Sequence, residues 1–285
     1  MTLVVASLQL LRQVKLEVLA QALPLPILFE SRRKKLRRFL RLREFNIVSI
    51  WFPCVSALLE EMFKPNDRIY LAIDRTSWGV INILMVSVIY DHRAWPIYWE
   101  FLEKKGSSNF DEQISVLGKS LGLLSNYRVV VLGDREFCSP KLGNWLSLEG
   151  AYFCLRQKSN TLVCHDTEME QKLKDYGLKP GVKLFIKDCQ VTKQKGFGRF
   201  NIAGKWKGKY QGFKTKEPWY ILTNFDELDT AIVAYQRRFS IEEAMQRGLG
   251  GFPHSLLHQD NVREILSREA IVLKGLNSQV SISQN

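Results

Sequence analysis

Acids, histidines and cysteine pairs are all scarce in this 285-residue chain. It carries Asp+Glu 29 against Lys+Arg 41, a formal net charge of +12. A surplus of that size points to a polyanionic partner, with nucleic acid first and a membrane surface second, and says nothing about fold. The five cysteines, Cys54, Cys138, Cys154, Cys164 and Cys189, are odd in number, widely spaced and without a C-x-x-C pair. That excludes a disulfide framework and a zinc knuckle, and leaves reduced, mostly buried thiols as the expectation. Long hydrophobic runs are missing too. The longest, residues 80–90, is broken by Asn82 and Ser87 and falls short of the roughly 20 apolar residues of a membrane span. The apolar residues 1–11 have no cations ahead of them and no small-residue cleavage site, so no secretory signal is expected and the chain is placed in the cytosol, at the nucleoid. With 46% hydrophobic and 25% charged content, disorder and collagen are excluded and one large domain or two modest ones fit.

Residues 1–66 read as helical, with apolar positions at helical spacing through Leu16 and Leu19 and a break at Pro24 and Pro26. Ser31 is a suitable N-cap for a second helix. Into that helix crowd Arg32, Arg33, Lys34, Lys35, Arg37, Arg38, Arg41 and Arg43 around the stripe Leu36, Phe39 and Leu40. DNA contact and a solvated charged face explain such a segment equally well. Strand patterns follow at 69–74, 79–90 and 95–100, then a helix at 109–124, a strand at 129–132, a helix at 140–148 and a strand at 152–156. That succession is a mixed α/β sheet. Residues 159–218 differ again, being β-rich and basic, with Lys205, Lys207 and Lys209 interleaved with Trp206 and Tyr210. Such a segment suits phosphate contact with base stacking, or is a hairpin made soluble by lysines. A strand at 219–223 and a helix at 227–247 close the pattern.

Asp74 stands at the end of Leu-Ala-Ile-Asp and Asp134 after Val-Val-Val-Leu-Gly, both where an apolar strand gives out. Ligand sites form at the carboxyl ends of strands in open α/β sheets, and two acids on neighbouring strands can share a divalent cation. A strand-end Asp is also an ordinary turn former or helix cap. In the last helix Tyr235, Arg238 and Glu242 are spaced to share one face. The alternative there is a surface helix with a local Arg238–Glu242 pair. The nearby Glu136 reads as an ion-pair partner rather than a metal ligand. His254 and His258 are four apart but lack further ligands.

Y235-Q-R-R238-F-S-I-E242 resembles the Tyr-x2-Arg-x3-Glu signature of bacterial insertion-sequence transposases of the DDE class, and the acid motifs I-D74-R-T-S-W and L-G-D134-R-E-F precede it in the family's order. The resemblance spans residues 20 to 245. It implies a ribonuclease H-like core at 67–158 and 219–255, a basic β-insertion at 159–218, a helical DNA-binding region at 1–66 and a tail at 256–285. It further implies that Asp74, Asp134 and Glu242 are catalytic and hold Mg²⁺, or Mn²⁺, to activate a water or 3′-hydroxyl for displacement at a DNA phosphodiester. Tyr235 and Arg238 would grip the phosphate, and Trp219 would stack on a flipped base unless it is a core aromatic. The implied partners are double-stranded transposon ends and target DNA, bound by a homodimer in the synaptic complex.

One position departs from the signature. The family carries a lysine seven residues after its glutamate, and this chain has Leu249. The segment from Ala244 onward resembles the family poorly as well. The alternative expectation is therefore an inactive, truncated transposase remnant that only binds DNA.

Overall fold

The structure, a computed structural model, describes residues 1–78, 80–165, 170–191, 196–206 and 217–246, the side chains of Trp78 and of residues 239–246 excepted. Within these the chain forms two compact units, one of residues 1–59 and one beginning at Glu60.

The first unit is helical, as its periodicity requires. It contains α1 (Thr2–Leu11), α2 (Leu16–Ala22), α3 (Phe29–Leu40), a π-helical turn at Ile47–Trp51 and most of α4 (Phe52–Met62), which ends in the second unit. α1 stops because Arg12 turns left-handed (φ 50°) and returns its N–H to the Leu8 carbonyl. Leu19, Ala20 and Leu23 bury themselves against Leu36 of α3, with Val4, Leu8, Leu11 and Leu16 packed around them. Ser31 is not the cap of α3. The helix starts two residues earlier, behind Leu28, whose carbonyl already accepts the Arg32 N–H, and Glu30 in the first turn suits the positive end of the helix.

The second unit is built on one mixed sheet. β1 (Arg68–Trp78), β2 (Ile81–Tyr90) and β3 (Arg93–Phe101) form an antiparallel meander. Asp91 and His92, both at positive φ, make the two-residue turn between β2 and β3, the geometry that matches strand twist in a tight hairpin. β4 (Arg128–Gly133) then runs parallel to β1, and β5 (Tyr152–Arg156) parallel to β4. Their crossovers are α5 (Phe110–Leu123) and α6 (Pro140–Leu148). α5 begins with a capping box, in which the Asn109 side chain accepts from the Glu112 N–H and the Glu112 carboxylate accepts from the Asn109 N–H. α6 begins with Pro140, whose missing N–H costs nothing at a helix start.

Four strands follow, β6 (Leu162–Cys164), β7 (Gln171–Lys172), β8 (Lys183–Val191) and β9 (Phe200–Lys205), and then β10 (Trp219–Thr223) and α7 (Leu228–Gln246). The sheet order is β3-β2-β1-β4-β5-β10-β9-β8-β6-β7. The strands of the basic β-rich region therefore prolong the central sheet, with β9 paired to β10. β3 is one outer strand, and its ladder with β2 is interrupted by a bulge beside Pro96.

α7 lies on one face of this sheet. Ala231, Ile232, Ala234 and Tyr235 form its buried stripe, against Ala72, Val130, Leu132, Cys154, Ile221 and Trp219. The two alanines let the helix come close to the strands. Its start is tied down by the β10–α7 turn, where Thr223 Oγ1 donates to the Phe153 carbonyl (2.7 Å) and accepts from the Phe225 N–H, and the Asn224 amide donates to the Ala151 carbonyl. These bonds fix the direction in which α7 crosses the strand ends.

The five thiols are free, but fewer are hidden than their spacing suggested. Cys154 and Cys189 are buried, Cys138 and Cys164 are half-buried and Cys54 is exposed on α4. No helix of the described residues is long and apolar enough to cross a membrane.

Candidate active site

The parallel ladders put the site together. Ile73 on β1 pairs with Gly133 on β4, and Gly133 pairs with Leu155 on β5. The next residue on each strand is Asp74, Asp134 and Arg156; Asp74 does not end β1 as its sequence suggested, since the strand runs on to Trp78 paired with β2 and only the parallel ladder with β4 stops before it. Side chains alternate along a strand, so these three follow Ala72, Leu132 and Cys154 on the face that α7 covers.

Gly133 is required for this approach. A Cβ there would stand 2.8 Å from Phe137 Cβ and 2.9 Å from a Leu155 methyl. Without a side chain at 133, the strand closes on β5 and delivers Asp134 to the turn. Asp134 then caps the 3₁₀ turn Arg135–Phe137, its Oδ1 accepting the Glu136 N–H at 2.9 Å. The capping role and the site role thus coincide, because Oδ2 is turned toward α7. From that helix Arg238 brings one guanidinium nitrogen, Nη2, to 3.7 Å from Asp74 Oδ1 and 4.0 Å from Asp134 Oδ2. The acids' side chains are 64% and 39% exposed while that of Arg238 is 13% exposed. The carboxylates line an open surface that a polymer can reach, and the cation stands behind them.

Two members expected to meet a ligand sit in the core instead. The ring of Tyr235 is fully buried and meets the edge of Trp219 at 5.3 Å between centroids. Burial pushes the Tyr235 phenol up to about 12, against the pull of Arg238 and Arg156. Neither ring faces solvent, so the phosphate contact expected from Tyr235 and the base stacking expected from Trp219 are not available in this arrangement. Together the two rings set the height of Arg238, one helical turn beyond Tyr235. Glu242 lies in α7, but its side chain is outside the described residues, as are Lys207, Lys209, Leu249, His254 and His258. Among the described residues no group of three or more potential ligands gathers at one point.

Arg156 carries a signal that motif reading missed. Its guanidinium is held below the ordinary arginine value first by burial, and also by the nearby charges of Arg135 and Arg238; Tyr235 acts in the opposite sense. Glu217 counters part of that charge, pairing with Arg135 and standing 3.8 Å from Arg156. Arg135, Arg156 and Arg238 thus lie near one another, with the carboxylates of Asp74, Asp134 and Glu217 among them. The parallel alignment of β5 with β4 could have revealed Arg156, had the register been known.

Among the expected DNA-contacting cations, the structure separates two kinds. Arg32 donates to the carbonyls of Gln21 and Leu23, closing the carboxyl end of α2, and Arg33 pairs with Glu30 at 3.0 Å. Both are half-buried, and Arg32 has this capping role whatever else it contacts. Lys34, Lys35, Arg37 and Arg38 are exposed along α3, whereas Lys205 is half-buried at the end of β9.

No protein-family model matches the chain, and no curated protein does. Among solved structures, the chain is similar to the piggyBac transposase synaptic complex with hairpin DNA, at 14% identity and TM-score 0.44, over 93% of this chain and 62% of that one. It thus spans about three fifths of that transposase chain. A second similarity, at 13% identity and TM-score 0.27, is to Marinitoga piezophila Argonaute in complex with guide RNA and target DNA, over 61% of this chain and 26% of that one.

Proposed function

We propose that the chain is a DDE-type DNA transposase that cleaves and transfers strands at the ends of an insertion sequence. The observation that carries this reading is the meeting of Asp74 and Asp134 on adjacent parallel strands, with Arg238 from the last helix beside both. These residues come from the three separate motifs of the family resemblance, 60 to 164 residues apart in the chain, and the fold gathers them. A mixed sheet with an antiparallel meander followed by two parallel strands suits the ribonuclease H-like core that the resemblance implies.

The donor set fits a divalent cation. Both acids offer hard oxygen ligands at an exposed edge, and Arg238 stands beyond hydrogen-bonding distance of each. Asp74 and Asp134 would hold Mg²⁺ or Mn²⁺, with Glu242 as the third ligand. Such an ion supplies a water or 3′-hydroxyl of lowered pKa and charge stabilisation at the leaving oxygen. The chain's own groups do the rest. Arg238 and Arg156 orient the phosphate and counter the charge that builds on it, Arg135 extends that cationic wall, and the Trp219–Tyr235 pair keeps water from behind Arg238. The exposed cations of α3 and the lysines of the β-rich region track the backbone of duplex DNA. A homodimer holding two ends belongs to this proposal, as does a place at the nucleoid.

Cleavage of a labelled duplex carrying the element's own end sequence, with Mg²⁺ or Mn²⁺, tests the reading directly. Cutting that disappears in Asp134→Ala supports it. The second reading, a remnant that only binds DNA, is favoured by Leu249, and equal binding by both proteins with cutting by neither would establish it.

A further inference from the structure

Behind the two aspartates, on the opposite face of β1, lies a polar cluster that the proposed chemistry does not use. Arg75, the residue after Asp74, donates Nε to both oxygens of Glu136 at 2.9 and 2.8 Å. Glu136, two residues after Asp134, also accepts at Oε1 from the Ser108 N–H (2.9 Å) and the Ser108 hydroxyl (2.8 Å). Arg75 Nη1 reaches Asn82 Oδ1 on β2 at 3.1 Å, and the Asn82 amide donates to the carbonyls of Lys104 and Gly106. Gln113 of α5 donates to the Ser108 hydroxyl. Asn82 and Gln113 are buried, and Arg75 and Glu136 are half-buried.

Glu136 is therefore not a spare metal ligand: its carboxylate is taken by four short contacts, from Arg75 and Ser108. The cluster closes a ring. Asp74 is covalently next to Arg75, Arg75 grips Glu136, the Glu136 N–H holds Asp134 Oδ1, and Asp134 lies beside Asp74 across the parallel ladder. This ring ties β1 to the turn after β4 just beyond the last pair of their ladder, where the two carboxylates come out. Two like charges near one another resist that position, and Arg238 offsets this only in part from beyond hydrogen-bonding distance.

We infer that Arg75 and Glu136 are positioning residues, a brace that sets the separation of Asp74 and Asp134 for a shared divalent cation. The inference rests on the proposed metal-holding role of those acids. Partners that orient ligands from behind change metal affinity by about 10- to 100-fold when removed, and that is the effect expected here.

The test is Mn²⁺ binding to the full chain, followed by electron paramagnetic resonance, for the parent, Glu136→Gln, Arg75→Lys, their double variant and Asp134→Ala. Thermal unfolding and DNA binding in EDTA are measured beside it. The expected result is a 10- to 100-fold weaker Mn²⁺ affinity in both conservative variants, with unfolding midpoint and metal-free DNA binding close to parental. The double variant should be no worse than the worse single one, because the two residues act through one contact. If the parent binds Mn²⁺ and Asp134→Ala does not, but the brace variants bind as the parent does, the brace is overturned and the functional reading stands. Affinity lost only in step with the unfolding midpoint also overturns it, leaving a purely structural pair. A parent that binds Mn²⁺ no better than Asp134→Ala overturns the functional reading, and the positioning role with it.

Discussion

Ile73 and Gly133 are paired across the parallel β1–β4 ladder, and an aspartate follows each of them. This one register match sets Asp74 beside Asp134. Arg238, from a helix formed more than a hundred residues later, lies within 4.0 Å of both. The largely buried Arg238 is thus the cation that approaches both acids.

Replacing that cation exposes the acids' repulsion. Arg238→Met is expected to lower stability by about 1 kcal/mol or less, since the two acids are partly exposed and water screens the attraction that is lost. Urea unfolding measures the loss. Added Mn²⁺ should restore more of it in the variant than in the parent, because the ion then supplies the missing positive charge; equal Mn²⁺ effects on the two proteins would contradict this account.

Gly133 has no room for even a methyl group. Gly133→Ala forces the Phe137 and Leu155 side chains to shift, an overpacking that costs about 1 to 3 kcal/mol. A lowered denaturation midpoint together with weaker Mn²⁺ binding is expected, as the displaced turn carries Asp134. A midpoint equal to that of the parent would show that the turn accommodates the methyl freely.

Much of this arrangement was legible in advance. The strand and helix spacing of the core was clear because its apolar runs are bounded by turn residues, and the fold placed 140–148, 152–156 and 219–223 on the expected elements. The order of the three motifs also named Asp74, Asp134 and Arg238. Arg156 and the Arg75–Glu136 pair were not legible, because they depend on which strands are neighbours and in what register, which local pattern does not carry. Tyr235 shows the limit of face geometry: spacing put it on the same side of the helix as Arg238, but one turn earlier that side already meets the sheet. Ser31 lost the cap of α3 because the helix already begins at Phe29, where Glu30 suits its positive end.

Alkaline pH should destabilise the fold. Burial raises the Cys154 and Cys189 thiols from 9.0 to about 12, and Tyr235 from 10.0 to about 12. The folded state therefore keeps these protons after the unfolded chain has released them. The stabilisation they give is full below pH 9 and is lost as pH climbs toward 12, with a slope of up to about 1.4 kcal/mol per unit for each group. Urea midpoints from pH 8 to 11 check the sign, and Cys154→Ala should flatten the slope. At pH 8 a thiol reagent should label Cys54 readily in the native chain, and Cys154 and Cys189 only after denaturation.

The cations of α3 should divide in two by experiment. Arg37→Ala with Arg38→Ala is expected to leave the fold intact and to reduce the salt dependence of DNA binding by one to two charges. Arg32→Ala should instead reduce stability by about 1 kcal/mol, since it frees the Gln21 and Leu23 carbonyls that end α2. Salt titration of DNA affinity alongside thermal unfolding separates the two effects, and a purely electrostatic change in Arg32→Ala would contradict the capping role.

The ten-stranded sheet has outer strands that resist extension. At β3 the ladder is disturbed by a bulge beside Pro96, which offers no N–H, and at the far side β7 is only two residues long. Among the described residues, a passing strand from another molecule finds an irregular row of donors and acceptors at β3 and a very short one at β7. A sheet this wide would otherwise invite fibre-like stacking during synthesis and storage. Among the described residues, neither border is built for edge-to-edge pairing with another strand.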